Sequence, residues 1–404
     1  MNNKVVLAFS GGLDTSFCVK YLSLERGLEV HAALVNTGGF SEAELKQVEA
    51  RAIELGVSSF KVLDMVRPYY EQCLRYLVYG NVLKNNTYPL SVSAERVFQA
   101  MAIGHYAREM GAGYVAHGST GAGNDQVRFD LTFHILAPEV EVITPIRDLK
   151  LSREEEIEYL KKQGVEYSWE KAQYSINQGL WGTSVGGKET LNSWDHLPES
   201  AWPTQLEKKS TEEAHLEFKE GQLLGVNGQQ FDHPVEAIEA LEALAAPFGI
   251  GRDIHVGDTI IGIKGRVGFE AAAPLIILKA HHLLEKHVLT KWQQHWKEQL
   301  GSWYGMLLHE GQFLDPVMRN IETFLEDTQK TVNGKVKVML APHQFQCLGV
   351  ESDHDLMSAK FGTYGEMNRA WSGEDVKGFT KILGNASRIY HEVNQSFNSE
   401  PTDS

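Results

Sequence analysis

Apolar and polar positions follow one rhythm in the first 168 or so residues and another beyond them. In the first part, Val5 to Phe9, Val30 to Val35, Phe60 to Leu63, Tyr114 to His117 and Val140 to Thr144 are short apolar runs of the kind that fill buried strands. Between them, Thr15 to Arg26, Ser41 to Leu55 and Ala94 to Met110 carry helical patterns. Ser41 with Glu44, and Ser152 with Glu155, are capping boxes, the second opening a charged helix that ends near Gly164. Strands alternating with helices predict βα units and a mostly parallel sheet.

Beyond residue 168 the pattern turns to hairpins and longer helices, which predicts an α+β domain over 169–372. Glu213 to Phe218 and Gln222 to Val226 lead into an Asn227-Gly228 turn, and Pro234 to Ala246 is an amphipathic helix. Thr259 to Phe269 and Val336 to Leu340 read as strands, and Leu275 to Lys286 and Thr290 to Leu300 as helices. The last stripe, Val376, Phe379, Ile382, Leu383, Ile389 and Val393, gives a terminal helix and tail over 373–404. Such a stripe packs either on its own domain or on another subunit.

Charge narrows the partners. The 404 residues include 38 Lys and Arg against 53 Asp and Glu, a net charge of −15. With no basic run, a protein that coats nucleic acid is excluded, because binding phosphates needs a local excess of cations. An apolar fraction of 42% excludes a disordered chain. Cys18, Cys73 and Cys347 are dispersed, so neither disulfides nor a zinc site is expected. No run approaches the ~20 apolar residues of a membrane span, and no leader precedes Ser10, so a soluble cytoplasmic protein is expected. His281-His282 and His354 lack further ligands at metal spacing and read as solvated surface, while Trp292, Trp296 and Trp303 read as packing residues of a helix.

Ser10-Gly11-Gly12-Leu13-Asp14-Thr15-Ser16 follows the first strand and opens a helix. Glycines let the backbone approach an anion, and the free N–H groups of the helix start, with the Thr15 and Ser16 hydroxyls, are donors for pyrophosphate. No lysine follows the second glycine, so the string is not a P-loop, and it suits a pyrophosphate released with Mg²⁺ better than a transferred γ-phosphate. A second constellation, His117-Gly118-Ser119-Thr120-Gly121-Ala122-Gly123-Asn124-Asp125-Gln126-Val127-Arg128-Phe129, follows another strand. At the strand ends of an open α/β sheet it would lie beside the first loop, with Arg128 available to clamp a carboxylate and Asp125 to hold an ammonium.

The first string resembles the pyrophosphate loop of N-type ATP pyrophosphatases, and with the second the chain resembles the argininosuccinate synthase family over most of its length. Tyr88-Pro89-Leu90 with Ser93 and Arg96, Tyr174 to Ser184, Gly249 to Arg252 and Gly262 to Arg266 extend the likeness. The resemblance implies a Rossmann-like, adenine nucleotide alpha hydrolase-like domain over 1–168, a synthetase domain and a homotetramer. It also implies an AMP-forming ligase joining citrulline to L-aspartate in arginine biosynthesis, with ATP and Mg²⁺. It assigns ATP to Ala8, Phe9, Ser10, Gly11, Gly12, Leu13, Asp14, Thr15, Ser16, Val35 and Gly118. Thr120, Asn124 and Asp125 would bind aspartate. Tyr88, Ser93, Asn124, Arg128, Ser175 and Ser184 would line the citrulline side. No protein nucleophile is implied; Asp14, Asp125 and Arg128 position the reactants. A non-catalytic ATP-binding regulator and another AMP-forming ligase of the same loop type are the alternatives.

The chain departs from the family pattern at identifiable places. The family's TGKGNDQVRF carries Ala122 here instead of lysine. In the stretches corresponding to SxDxNLWGxSxE and VENRfvGxKSRGvYETP, Asn177 replaces aspartate, Gly186 and Gly257 replace glutamates, and Phe269 replaces tyrosine. Losing the partner of a buried ammonium costs about 3–5 kcal/mol. Either the substrate is an N-acylated citrulline, acetyl or succinyl, with no ammonium to pair, or Asp258 or Glu270, one position along, takes over the lost charge.

Overall fold

The computed structural model describes residues 2–165, 174–357, 362, 364–366 and 370–395. The expected boundary at 168/169 lies outside the described residues. The chain forms two compact units, residues 1–354 and 355–404.

In the first unit, β1 (Lys4–Ala8), β2 (Glu29–Asn36), β3 (Ser59–Asp64), β4 (Tyr114–Ala116) and β5 (Glu141–Ile143) form a parallel sheet in the order β3-β2-β1-β4-β5. Val5, Val6 and Leu7 are wholly buried, because helices cover both faces of the sheet. Both expected capping boxes form: Ser41 Oγ accepts from Glu44 N at 3.3 Å, and Ser152 Oγ from Glu155 N at 3.3 Å. Successive strands step outward from β1 in opposite directions, so the chain reverses its order between β1 and β4. Open α/β sheets bind ligands at the carboxyl ends of such a pair, and the two polar loops are the segments that leave β1 and β4.

Two antiparallel sheets follow. β6 (Ser175–Gly179), β7 (Gly182–Gly186), β8 (Glu212–Lys219), β9 (Gln222–Val226), β10 (Gln229–Gln230), β11 (Arg252–Asp258), β12 (Lys264–Glu270), β13 (Gly334–Ala341) and β14 (Gln344–Glu351) pair as β11-β12-β7-β6 and β10-β9-β8-β13-β14. The single strand expected over Thr259 to Phe269 is the end of a hairpin. Thr259 donates to Ile263 O at 2.8 Å, and Gly262, at φ +84°, completes a reversal that the β-branched run Thr259-Ile260-Ile261 conceals. Trp181, 1% exposed, donates from Nε1 to Pro89 O at 3.0 Å and ties the β6–β7 turn to the entry of the helix Ser91–Glu109.

Two surface expectations are reversed. His281 is wholly buried, within 2.7 Å of Asn81 Oδ1 and 2.8 Å of Gln329 Oε1, and burial lowers its pKa to about 4. Trp292, Trp296 and Trp303 project from the helix Lys291–His309, each more than half exposed, because its buried face is carried instead by Lys297, Gly301, Tyr304 and Leu308. In the second unit the terminal stripe forms two helices, Gly373–Leu383 and Asn385–Gln395, with Val376, Phe379, Ile382, Ile389 and Val393 exposed. No helix among the described residues is long and apolar enough to cross a membrane.

Candidate active site

β1 ends at Ala8, and Gly11 at φ +78° turns the chain into the helix Leu13–Leu24. The first-turn amides of that helix have no earlier carbonyl to bond, which leaves donors at the cleft mouth. Thr15 and Ser16 both donate their hydroxyls back to Gly12 O, at 3.2 and 2.8 Å. Ser16 is wholly buried, so it staples the loop and does not face the cleft. Asp14 lies at the cleft and hydrogen-bonds Glu156 of the helix Arg153–Lys162; burial raises its pKa. Burial and the neighbouring Asp14 carboxyl raise that of Glu156 to about 8.

The cleft measures about 820 Å³. Ala8, Phe9, Ser10, Gly12, Leu13, Asp14, Thr15, Val35 and Gly118 line it, as do Thr120, Asp125 and Ser175, whereas Gly11 supports the loop from behind against Val48. Asn124 is turned away: its Oδ1 accepts from Ile260 N at 2.8 Å, tying the second loop to the β11–β12 hairpin tip. His117 orders that loop. Its Nε2 is 2.9 Å from Asp130 Oδ1 and its Nδ1 accepts from Ser119 N at 3.2 Å, which fixes the proton on Nε2. Ala122 leaves Arg147 as the nearby cation; its Nη1 donates to Asp130 Oδ2 at 2.6 Å, and its Cγ lies 3.6 Å from where a Cβ on Gly121 would sit.

One arginine joins the two halves of the site. Arg96 donates from Nε to Asp125 Oδ2 at 3.0 Å, from Nη1 to Glu95 Oε1 at 3.0 Å and from Nη2 to Asn177 Oδ1 at 3.0 Å. Arg128 donates from Nη1 to Asp125 Oδ1 at 3.1 Å and from Nε and Nη2 to His309 O. The guanidinium edge expected to clamp a substrate carboxylate is therefore occupied by a helix-end carbonyl. Burial opposes ionisation of Asp125, but Arg96 and Arg128 outweigh it and hold the carboxyl below its ordinary range. Glu95, 2% exposed, is pushed up to about 7 by burial, despite Arg96 and a 3.1 Å hydrogen bond from Thr37. Glu95 supports Arg96, a role that the sequence hides because it depends on Thr37, 58 residues away.

The remaining expected residues share one sheet face. Opposed residues on antiparallel strands point the same way, and Asn177, Ser184 and Phe269 are in register across β6, β7 and β12, as are Ser175 with Gly186 and Gly257 with Gly265. Tyr88 packs on this face, 5.3 Å from the Phe269 ring and 4.9 Å from the His255 ring, and Ser93 is buried one turn into the adjoining helix. Of these groups, Ser175 and Asn177 line the cleft together with Arg96 and Asp125. At Gly186 a Cβ would find only Ser175 at 3.9 Å, whereas at Gly257 it would lie 2.8 Å from His255 Nε2, so histidine fills the space at the second lost glutamate. Asp258 and Glu270 cannot replace the missing acids. Both follow the alternation onto the opposite face, where Asp258 pairs with Lys264 at 2.7 Å and Glu270 with Arg252 at 3.0 Å.

A parallel sheet with a glycine loop at its switch point, facing a polar cleft, defines a nucleotide-binding α/β enzyme. Residues 4–166 match the family model described as the arginosuccinate synthase N-terminal HUP domain, and residues 174–390 the arginosuccinate synthase C-terminal domain. The argininosuccinate synthase of Dictyoglomus turgidum is 37% identical over 389 residues, covering 96% of this chain and 97% of the relative. Those of Methanocaldococcus jannaschii (37% over 393 residues; 96% and 98%) and Xylella fastidiosa (36% over 411 residues; 98% and 100%) are similar. The chain belongs to the argininosuccinate synthase family, ATP-dependent ligases that form a carbon–nitrogen bond.

Proposed function

We propose that the chain joins a citrulline-type ureido substrate to L-aspartate with cleavage of ATP to AMP and PPi, in cytoplasmic arginine biosynthesis. The observation that carries this reading is the meeting of the two polar loops at the β1/β4 switch point, where Gly118 packs on Asp14 and Thr15, with Asp125 and Arg96 lining the same cleft. In this reading Ala8, Phe9, Ser10, Gly12, Leu13, Asp14 and Thr15, with Val35 and Gly118, hold ATP, which enters as its Mg²⁺ complex, and Gly11 and Ser16 shape the loop. Thr120 and Asp125 form the aspartate end, and Asn124 anchors their loop to the β11–β12 hairpin tip. Tyr88, Ser93, Ser175 and Ser184, with Gly257 and Phe269, form the ureido end, and Arg128 holds Asp125 in place beside it.

The ureido oxygen attacks the α-phosphorus and PPi leaves; the aspartate amine then attacks the ureido carbon and AMP departs. No protein nucleophile is required, so alignment and fixed charge supply the acceleration. Amides of the first loop face the departing pyrophosphate, and the Asp125 carboxylate, kept ionised by two arginines, receives the ammonium of aspartate.

The ureido substrate is an N-acylated citrulline in this reading. Asn177, Gly186 and Gly257 provide no carboxylate for an α-ammonium, Asp258 and Glu270 face away, and Gly186 leaves space. A homotetramer is supported by the exposed apolar stripes of the terminal helix pair and the exposed tryptophans. The test is PPi and product formation with ATP, aspartate and either citrulline or N-acetylcitrulline. Preference for free citrulline overturns the acyl assignment, and absence of PPi release with every ureido compound overturns the whole reading.

A further inference from the structure

The end of the site where carboxylates are missing is not merely neutral. Lys84 and Asn85 form a tight loop closed by the Lys84–Tyr88 bridge, and this loop packs on β11, with Asn85 Nδ2 donating to Val256 O at 3.1 Å. Lys84 makes no ion pair among the described residues, and its backbone is bridged to Tyr88, whose ring stacks on His255. His255 is 7% exposed, stacked on Tyr88 at an interplanar angle of 22°, and its Nδ1 is buried with no hydrogen-bond partner among the described residues. Leaving such a group unpaired costs stability, which a ligand acceptor would restore. Its Nε2 occupies the space beside Gly257 where a glutamate side chain would begin. A place suited to a cation in the family pattern is thus bordered by His255, with Lys84 on the loop that packs against the same strand.

Resting on the acylated-substrate reading, we propose that this end selects an acyl group that itself ends in a carboxylate, as succinyl does and acetyl does not. Lys84 and His255 are the groups that receive the carboxylate: the ammonium supplies charge and the imidazole a directed N–H. Neither is a catalytic residue, since neither lines the cleft that the two polar loops share.

The experiment compares kcat/KM of the full-length enzyme for citrulline, N-acetylcitrulline and N-succinylcitrulline, then repeats the comparison for Lys84→Met, Lys84→Arg and His255→Leu. A charge-assisted hydrogen bond sets the scale, so the succinyl-to-acetyl ratio should exceed unity in the native enzyme and fall about tenfold to a hundredfold in Lys84→Met. Lys84→Arg should restore most of it, and His255→Leu should lower it without abolishing PPi release. Because the readout is a ratio within one protein, a partly unfolded variant does not mimic the effect. An acetyl compound used as well as the succinyl one, or a ratio unmoved by Lys84→Met, overturns this inference while leaving the acylated-substrate reading intact. Preference for free citrulline over both overturns that reading as well.

Discussion

Arg96 and Asn177 meet at 3.0 Å, Nη2 to Oδ1, in the lining of the cleft and next to the sheet face proposed for the ureido end. Arg96 already serves Asp125, Glu95 and Gln99, so an amide at position 177 satisfies Nη2 without adding charge. Asn177→Asp would return an anion to this face with little change in shape. The expected outcome is a shift in relative kcat/KM toward free citrulline and away from N-acylcitrulline by about tenfold, the scale of one added charge contact. Steady-state assays with both substrates check it; an unchanged ratio would show that position 177 serves Arg96 alone.

The Asp125 carboxylate accepts from the buried Arg128 and the partly buried Arg96, and removing it leaves both guanidiniums short of a counter-charge. Asp125→Asn should therefore raise KM for aspartate and lower kcat/KM by about a hundredfold or more, through lost charge and misplaced Arg96. ATP affinity should change far less, because the β1 loop is built from its own amides and hydroxyls. Measuring aspartate and ATP dependence separately distinguishes this from general unfolding.

Much of this fold is written in local pattern. The parallel strands are apolar runs because both faces are covered, and the Ser41–Glu44 and Ser152–Glu155 boxes mark helix starts at single-residue resolution. The nucleotide loop is legible because its chemistry is contiguous. What escapes is what depends on distant partners. Glu95, His255 and His281 look ordinary in sequence, and only tertiary packing puts Thr37, Tyr88 and Asn81 beside them. The β11–β12 reversal is hidden because two isoleucines precede the glycine that turns the chain.

Ala122 stands in an open, exposed part of the second loop, and Gly123 beside it has nothing within 4 Å of where a Cβ would sit. Ala122→Lys should be accommodated without strain and place a flexible cation near the phosphates. The expected result is a lower KM for ATP, by about threefold to tenfold at low salt, shrinking as ionic strength rises because an exposed charge is screened. A KM independent of both substitution and salt would mean that Arg147 already supplies the needed charge.

Glu156 provides a pH signature. Its carboxyl in the folded protein is raised to about 8 by burial and by Asp14, above the ordinary value of 4.5. A raised carboxyl pKa means that the folded state binds more protons than the unfolded state between those two values, so stability falls as pH rises through that window and the cost is complete above about pH 8. Glu156→Gln keeps the shape and removes the titration. Relative to the native enzyme, the variant should gain melting temperature progressively from pH 5 to pH 8, with little difference at the acidic end. Thermal melts at half-unit pH steps measure this directly. A difference in Tm that stays constant across the window would show that the Asp14–Glu156 contact holds no extra proton in the folded protein.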